Sequence, residues 1–130
     1  MSFISGDASE IYKLGVDLAQ VGAKSIPAVR QVMSDAGDAF ANEWRSNATA
    51  TSGEHGKHYP ASITAELAFS VTSVAVDVGP ESARKQGGMG RGFEFGSVNQ
   101  PPHLDGLHAL DGIQARVDRM LDSAIGHLFP

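Results

Sequence analysis

From Ile63 onward, apolar and polar positions alternate. Ile63, Ala65, Leu67, Phe69 and Val71 are interleaved with Thr64, Glu66, Ala68, Ser70 and Thr72. A period of two held over ten residues predicts a strand and is too regular for a helix. After a turn near Thr72-Ser73, Val74, Val76 and Val78 alternate with Ala75 and Asp77. Two such runs in succession predict an antiparallel hairpin, and Gly79-Pro80 is expected to stop its second strand. Helical spacing appears on both sides of the hairpin. Ile11, Leu14, Leu18 and Val21 predict a first helix over roughly Ala8 to Val21, with Asp7-x-x-Glu10 as its capping box and Gly22 as its end. Met1 to Gly6 is left as a loose arm. A second helix is expected from Ile26 to about Ala48. Ser25 is its cap, Pro27 lies in its first turn, and Val29, Val32, Met33, Ala36, Phe40 and Trp44 form its apolar face. Gly37 weakens it midway. Leu107, Leu110, Ile113, Val117, Met120, Leu121, Ala124 and Leu128 predict a final amphipathic helix that Asp105 would cap.

The segments between these elements are expected to be loops at Thr49 to Tyr59 and Glu81 to Arg91. Phe93-Glu94-Phe95 alternates, so a short third strand is expected there, with both rings on one face and the carboxylate on the other. Gly96 lets the chain turn after it, and Pro101-Pro102 stiffens the approach to the last helix. The order helix, helix, hairpin, strand, helix defines an α+β class. It implies a small antiparallel sheet packed against an N-terminal helical pair and a C-terminal helix. One domain spans 1–130, with no internal repeat.

Composition narrows the classes. A formal net charge of −5 argues against a general nucleic-acid clamp. It is compatible with an acidic wall that faces DNA without gripping it. With no cysteine in the chain, disulfides and thiolate metal sites are excluded. No apolar run reaches the ~18 residues of a membrane span, and no secretory h-region is evident.

Four features invite a chemical reading. His55 and His58 flank Gly56-Lys57, but a metal site needs a third ligand at ordered spacing, so solvent exposure or an interface contact is expected. Glu94, between two rings, could act as an acid or base if burial raised its pKa. No paired carboxylate or Ser/His/Asp spacing accompanies it, so Phe93 and Phe95 are expected to plug the core or a subunit seam. Glu94 would then accept from a backbone group or from a basic side chain such as Arg91 or Arg84 of a neighbour. The glycine-rich run Gly87 to Gly92 resembles a phosphate-binding loop only in composition, because no helix is expected to follow at once. Arg84, Lys85 and Arg91 beside it would be solvated in a lone subunit. In an assembly they could face a neighbour's acidic surface or DNA. Trp44 is expected in the core, where its indole N–H needs a partner.

Read in order, several short motifs form a series: Ile26-Pro27-Ala28-Val29, Ser62-Ile63-Thr64, Val76-Asp77-Val78-Gly79-Pro80, Phe93-Glu94-Phe95-Gly96-Ser97, Gln100-Pro101-Pro102-His103-Leu104 and Ala109-Leu110. In this order and spacing, from about Ala8 to Leu128, the chain resembles the neck and tail-completion (head–tail joining, minor tail component) proteins of long-tailed bacteriophages of lambdoid type. It departs from them in the Thr49 to Tyr59 loop. There the family often reads Pro-x-Asp-Thr-Gly-x-Leu, and this chain has Thr51-Ser52-Gly53 followed by a histidine-containing insertion. The resemblance implies a structural virion protein, assembled in the host cytoplasm and located in the neck, without enzymatic activity, cofactor or metal. It implies a homo-oligomeric ring, commonly six-fold, next to connector and tail-tube or terminator proteins, with DNA passing through its lumen. Phe93, Glu94, Phe95, Arg84, Lys85, Arg91, His55 and His58 are the residues expected at subunit or partner contacts. Two alternatives stand beside this reading: a tail terminator ring subunit, and a small hydrolase using Glu94 with a nearby histidine.

Overall fold

The computed structural model describes residues 2–6, 12–18, 21, 23–70, 72–81, 84–96 and 102–126. Two hairpins share one sheet. Strand β1 (Ser2–Gly6) pairs with β2 (Tyr12–Asp17), and β3 (Ile63–Phe69) pairs with β4 (Ser73–Pro80). The hairpins join along β2 and β4, giving a four-stranded antiparallel sheet in the order β1-β2-β4-β3. Helix α1 (Ile26–Ser52) connects the hairpins; a short α2 (Gly90–Phe95) and a long α3 (Asp105–Gly126) follow. One face of α1 lies on the sheet and α3 packs against α1 from outside, so α1 is the middle layer. The α+β class holds, as do the hairpin, the helix from Ile26 and the helix from Asp105.

The core runs through both sides of α1. Val29, Met33, Ala36, Phe40, Ala41, Trp44 and Ala48 are buried between Leu14, Val16, Val74, Val76 and Val78 of the sheet and Ala109, Leu110, Ile113, Val117 and Leu121 of α3. Tyr12, Phe40 and Trp44 form an aromatic cluster, with Tyr12 meeting Trp44 edge-on at 5.5 Å. Trp44 is fully buried as expected, and its indole N–H finds no acceptor among the described residues. That omission costs about 1–3 kcal/mol, which the packing has to offset.

The mid-helix glycine has a packing role. A Cβ at Gly37 would lie 2.5 Å from Val76 Cγ2, so α1 crosses the sheet where the glycine allows closest approach to β4. Gly37→Ala should gain ~1 kcal/mol of helix propensity but lose ~1–3 kcal/mol to overpacking, a net destabilisation in chemical melts. Adding Val76→Ala should make the pair less damaging than the sum of the two single losses.

Two expectations for the N-terminus are overturned. The expected helix over Ala8 to Val21 is replaced by β2, and the expected loose arm is replaced by β1. Tyr12, Leu14 and Val16 alternate with Lys13, Gly15 and Asp17, so a period of two was present beneath the helical one. The strand is held on both margins, by β1 and by β4, which helical propensity around Gly15 cannot match. Asp7, Glu10 and Gly22 lie outside the described residues. The boundaries also shift. Helix α1 continues through Ser52, and Ser25 makes no side-chain capping bond although Pro27 does sit in the first turn. Strand β4 includes Gly79 and Pro80. Leu128 lies outside the described residues.

Candidate functional site

Phe93-Glu94-Phe95 is not a strand. It is the end of α2, so the expected third strand is withdrawn and with it the alternation of rings and carboxylate. Three residues carry too little pattern to fix a period, and the returning chain settles the matter. His103 N–H donates to Phe93 O (2.9 Å) and Leu104 N–H to Glu94 O (3.0 Å). These bonds occupy the carbonyls that a helix end leaves without partners. The turn needs left-handed backbone at Gly96 (φ 84°) and at Leu104 (φ 55°). A short helix therefore does begin within the glycine-rich run, at Gly90, contrary to expectation, although its six residues make fewer than two turns.

Helical geometry separates the two rings. Phe93 is 2% exposed and stacks on Tyr59 at 4.5 Å, with the His103 ring 5.9 Å away, whereas Phe95 is 44% exposed. Glu94 is wholly buried. Its Oε1 accepts from Gly106 N–H (2.8 Å), and its Oε2 accepts from Leu107 N–H (3.0 Å) and from the Tyr12 hydroxyl (2.8 Å). Gly106 and Leu107 open α3, where the backbone N–H groups lack intrahelical acceptors and the helix dipole favours a negative charge. Glu94 is thus the N-terminal cap of α3, supplied from another helix. Asp105, expected in that role, instead accepts from Thr51 Oγ1 (2.6 Å), and its backbone carbonyl accepts from Asn47 Nδ2 (3.1 Å). This ties α3 to the end of α1. Of the partners foreseen for Glu94, backbone groups are found, at Gly106 and Leu107.

Burial, reinforced by the hydrogen bond to Glu94 and by its charge, pushes the Tyr12 phenol well above its ordinary 10.0. The folded protein keeps this proton where the unfolded chain has released it. The associated stabilisation is therefore complete below pH 10 and declines as pH rises beyond it. Tyr12→Phe should lose ~1.5–3 kcal/mol near neutrality and show a flatter decline above pH ~10, read from urea melts across that range.

The remaining candidates are scattered. His55 is exposed and His58 half-buried. The segment carrying them is pinned by one amide, since His58 N–H donates to Gln86 Oε1 (2.7 Å) and Gln86 Nε2 donates to His55 O (2.8 Å). The two segments expected to be loops are thus bonded to each other, with Gln86 at φ 62°. Among the described residues no three His, Asp or Glu side chains converge to hold a metal ion. Arg84 is exposed and pairs with Glu81 at 2.8 Å, and Lys85 is exposed. The Arg91 side chain lies outside the described residues. Phe93 and Glu94 are buried within the subunit, the core being one of the two places expected for Phe93. Phe95, Arg84, Lys85, His55 and, in part, His58 remain accessible. Sequence reasoning missed Tyr12, Asn47, Thr51, Gln86 and Asp105 as partners. No local signal marks them, because each bond joins distant parts of the chain.

An open groove of about 460 Å³ lies at the β3–β4 end of the sheet, lined by Thr64, Glu66, Asp77, Pro80, Glu81 and Arg84 among others. The lining holds no histidine, and its guanidinium is already bonded to Glu81. No described helix is long and apolar enough to cross a membrane. Compared with family models, with curated proteins and with solved structures, the chain matches none.

Proposed function

We propose that this chain is a structural subunit of a bacteriophage neck, forming a ring between head and tail through which DNA passes. The observation that carries the reading is the ordered series of short motifs. Its two most distinctive members meet in space. The Phe93-Glu94-Phe95-Gly96 segment and the Pro102-His103-Leu104 segment are joined by main-chain bonds, and Glu94 then caps the helix that contains Ala109-Leu110. These motifs therefore act as one structural knot that sets the direction of α3. The mechanism is geometric. One heterologous contact, repeated until the rotation closes, makes a ring. The net charge of −5 suits a lumen that lets DNA slide without holding it.

Sedimentation of the purified protein together with mass spectrometry of assembled virions tests the reading. A closed multimer, with six copies the first expectation, and its presence in virions are the expected results. A protein that stays a single subunit at high concentration and is missing from virions would end it.

A further inference from the structure

Among the described residues the sheet has two margins without a strand partner. Among the described residues β3 bonds only to β4, and β1 only to β2. Which main-chain groups point outward follows from a few bonds. Glu81 N–H donates to Ser62 O and Ser70 N–H donates to Ser73 O, in register with the β3–β4 pairing. In an antiparallel ladder the bonded pairs alternate, so Thr64, Glu66 and Ala68 face β4, and Ile63, Ala65, Leu67 and Phe69 face away. The Ile63 carbonyl is already taken by Arg45 Nε at 2.9 Å. The free edge therefore runs from Ala65 to Phe69.

The same count fixes the other margin. Leu18 N–H donates to Thr72 O in register with the β2–β4 pairing, so Tyr12, Leu14 and Val16 face β4 while Lys13 and Gly15 face β1. Ser2, Ile4 and Gly6 then carry the outward main-chain groups of β1.

We propose that β1 of a second copy of this chain adds to the β3 edge, head to tail, and that this is the contact repeated around the ring. The proposal deepens the ring reading and rests on it. Three matches carry it. Every neighbouring pair in the sheet is antiparallel, so β1 and β3 run in opposite directions and a copy's β1 meets β3 antiparallel. The free edge Ala65 to Phe69 has the same number of residues as β1. Aligning the outward groups pairs Ser2 with Phe69, Ile4 with Leu67 and Gly6 with Ala65, and leaves no outward group on either strand without a partner.

Phe69 adds an independent reason. It is 57% exposed at the end of this edge, with the Arg30 guanidinium 4.9 Å above its ring. Edges of monomeric proteins are usually blunted by proline, bulges or inward charges, and Ala65 to Phe69 carries none of these on its outward positions. Because the two surfaces differ, the contact is heterologous: it closes into a ring or continues into a filament, and does not stop at a two-fold dimer.

In the proposed register Ser5 faces Glu66 as a non-hydrogen-bonded pair, the closer of the two spacings and one that suits a disulfide. The natural chain has no cysteine, so Ser5→Cys and Glu66→Cys can be read without background. Within one subunit these positions lie across the whole sheet and cannot join. On mild oxidation the double variant should give a ladder of cross-linked multimers on denaturing gels. The two single variants should stay monomeric alone and give one dimer when mixed.

Dimers from either single variant alone would overturn the head-to-tail pairing in favour of an isologous one. A multimeric wild type whose double variant gives no ladder would overturn the edge contact and leave the ring standing. A ladder from a protein that grows filaments without a closed mass would keep the edge contact and remove the ring. A wild type that stays a single subunit and gives no ladder would remove both.

Discussion

Glu94→Ala should destabilise the protein by about 3–5 kcal/mol. The change strips the acceptor from three donors: the buried Tyr12 hydroxyl and Gly106 N–H, and the part-buried Leu107 N–H. An orphaned buried donor costs about 1–3 kcal/mol, and the sum is reduced because the alanine variant no longer desolvates a carboxylate. Glu94→Gln should lose less, about 2 kcal/mol, since one amide oxygen can still accept while the amide nitrogen confronts a donor. The damage should also have an address. Amide exchange of Gly106 and Leu107 should accelerate more than that of residues later in α3, because the helix loses its cap before it loses its packing. Uniform acceleration along α3, or a loss below ~1 kcal/mol, would show that the carboxylate is dispensable to the helix start.

Phe93→Ala and Phe95→Ala should differ sharply. Phe93 is buried against Tyr59 and His103, so removing its ring should cost about 3–5 kcal/mol. Phe95 is 44% exposed and its loss should stay near 0.5 kcal/mol. A strand would have placed the two rings on one face and made them comparable, so this pair of denaturation midpoints distinguishes the helical geometry directly. Phe93 also serves as the post against which the 53–59 turn and the 102–104 return segment rest. Its truncation should therefore raise protease sensitivity in both segments, while the Phe95 variant should cleave as the parent does.

Much of the architecture was legible because it is written in long periods. The hairpin at Ile63 to Val78 and the helices from Ile26 and Asp105 each repeat their pattern over several turns or pleats. The N-terminal segment was not legible. Ile11, Leu14, Leu18 and Val21 satisfy a helical spacing while Tyr12, Leu14 and Val16 satisfy an extended one. Only the neighbouring strands β1 and β4 decide between them. The knot around Glu94 was partly legible. Its motif stood out, and the need for a backbone partner could be stated, but a cap delivered from 12 residues upstream of Gly106 leaves no local trace. Asp105 looked like the cap because local sequence favours it there, and Thr51 claims its carboxylate instead. The free margins of the sheet emerge only from strand order, which no single segment encodes.

That strand order also governs how the molecule can be made. Each hairpin is local in sequence, but the seam between β2 and β4 joins residues separated by the whole of α1. Closing such a long loop is entropically costly and tends to set the folding rate. During synthesis, the first hairpin must wait on the ribosome with its inner margin exposed until Pro80 has emerged. A chaperone that shields unpaired strands would have its window there, and pulse-labelled exchange should find the β2–β4 amides protected later than those within either hairpin.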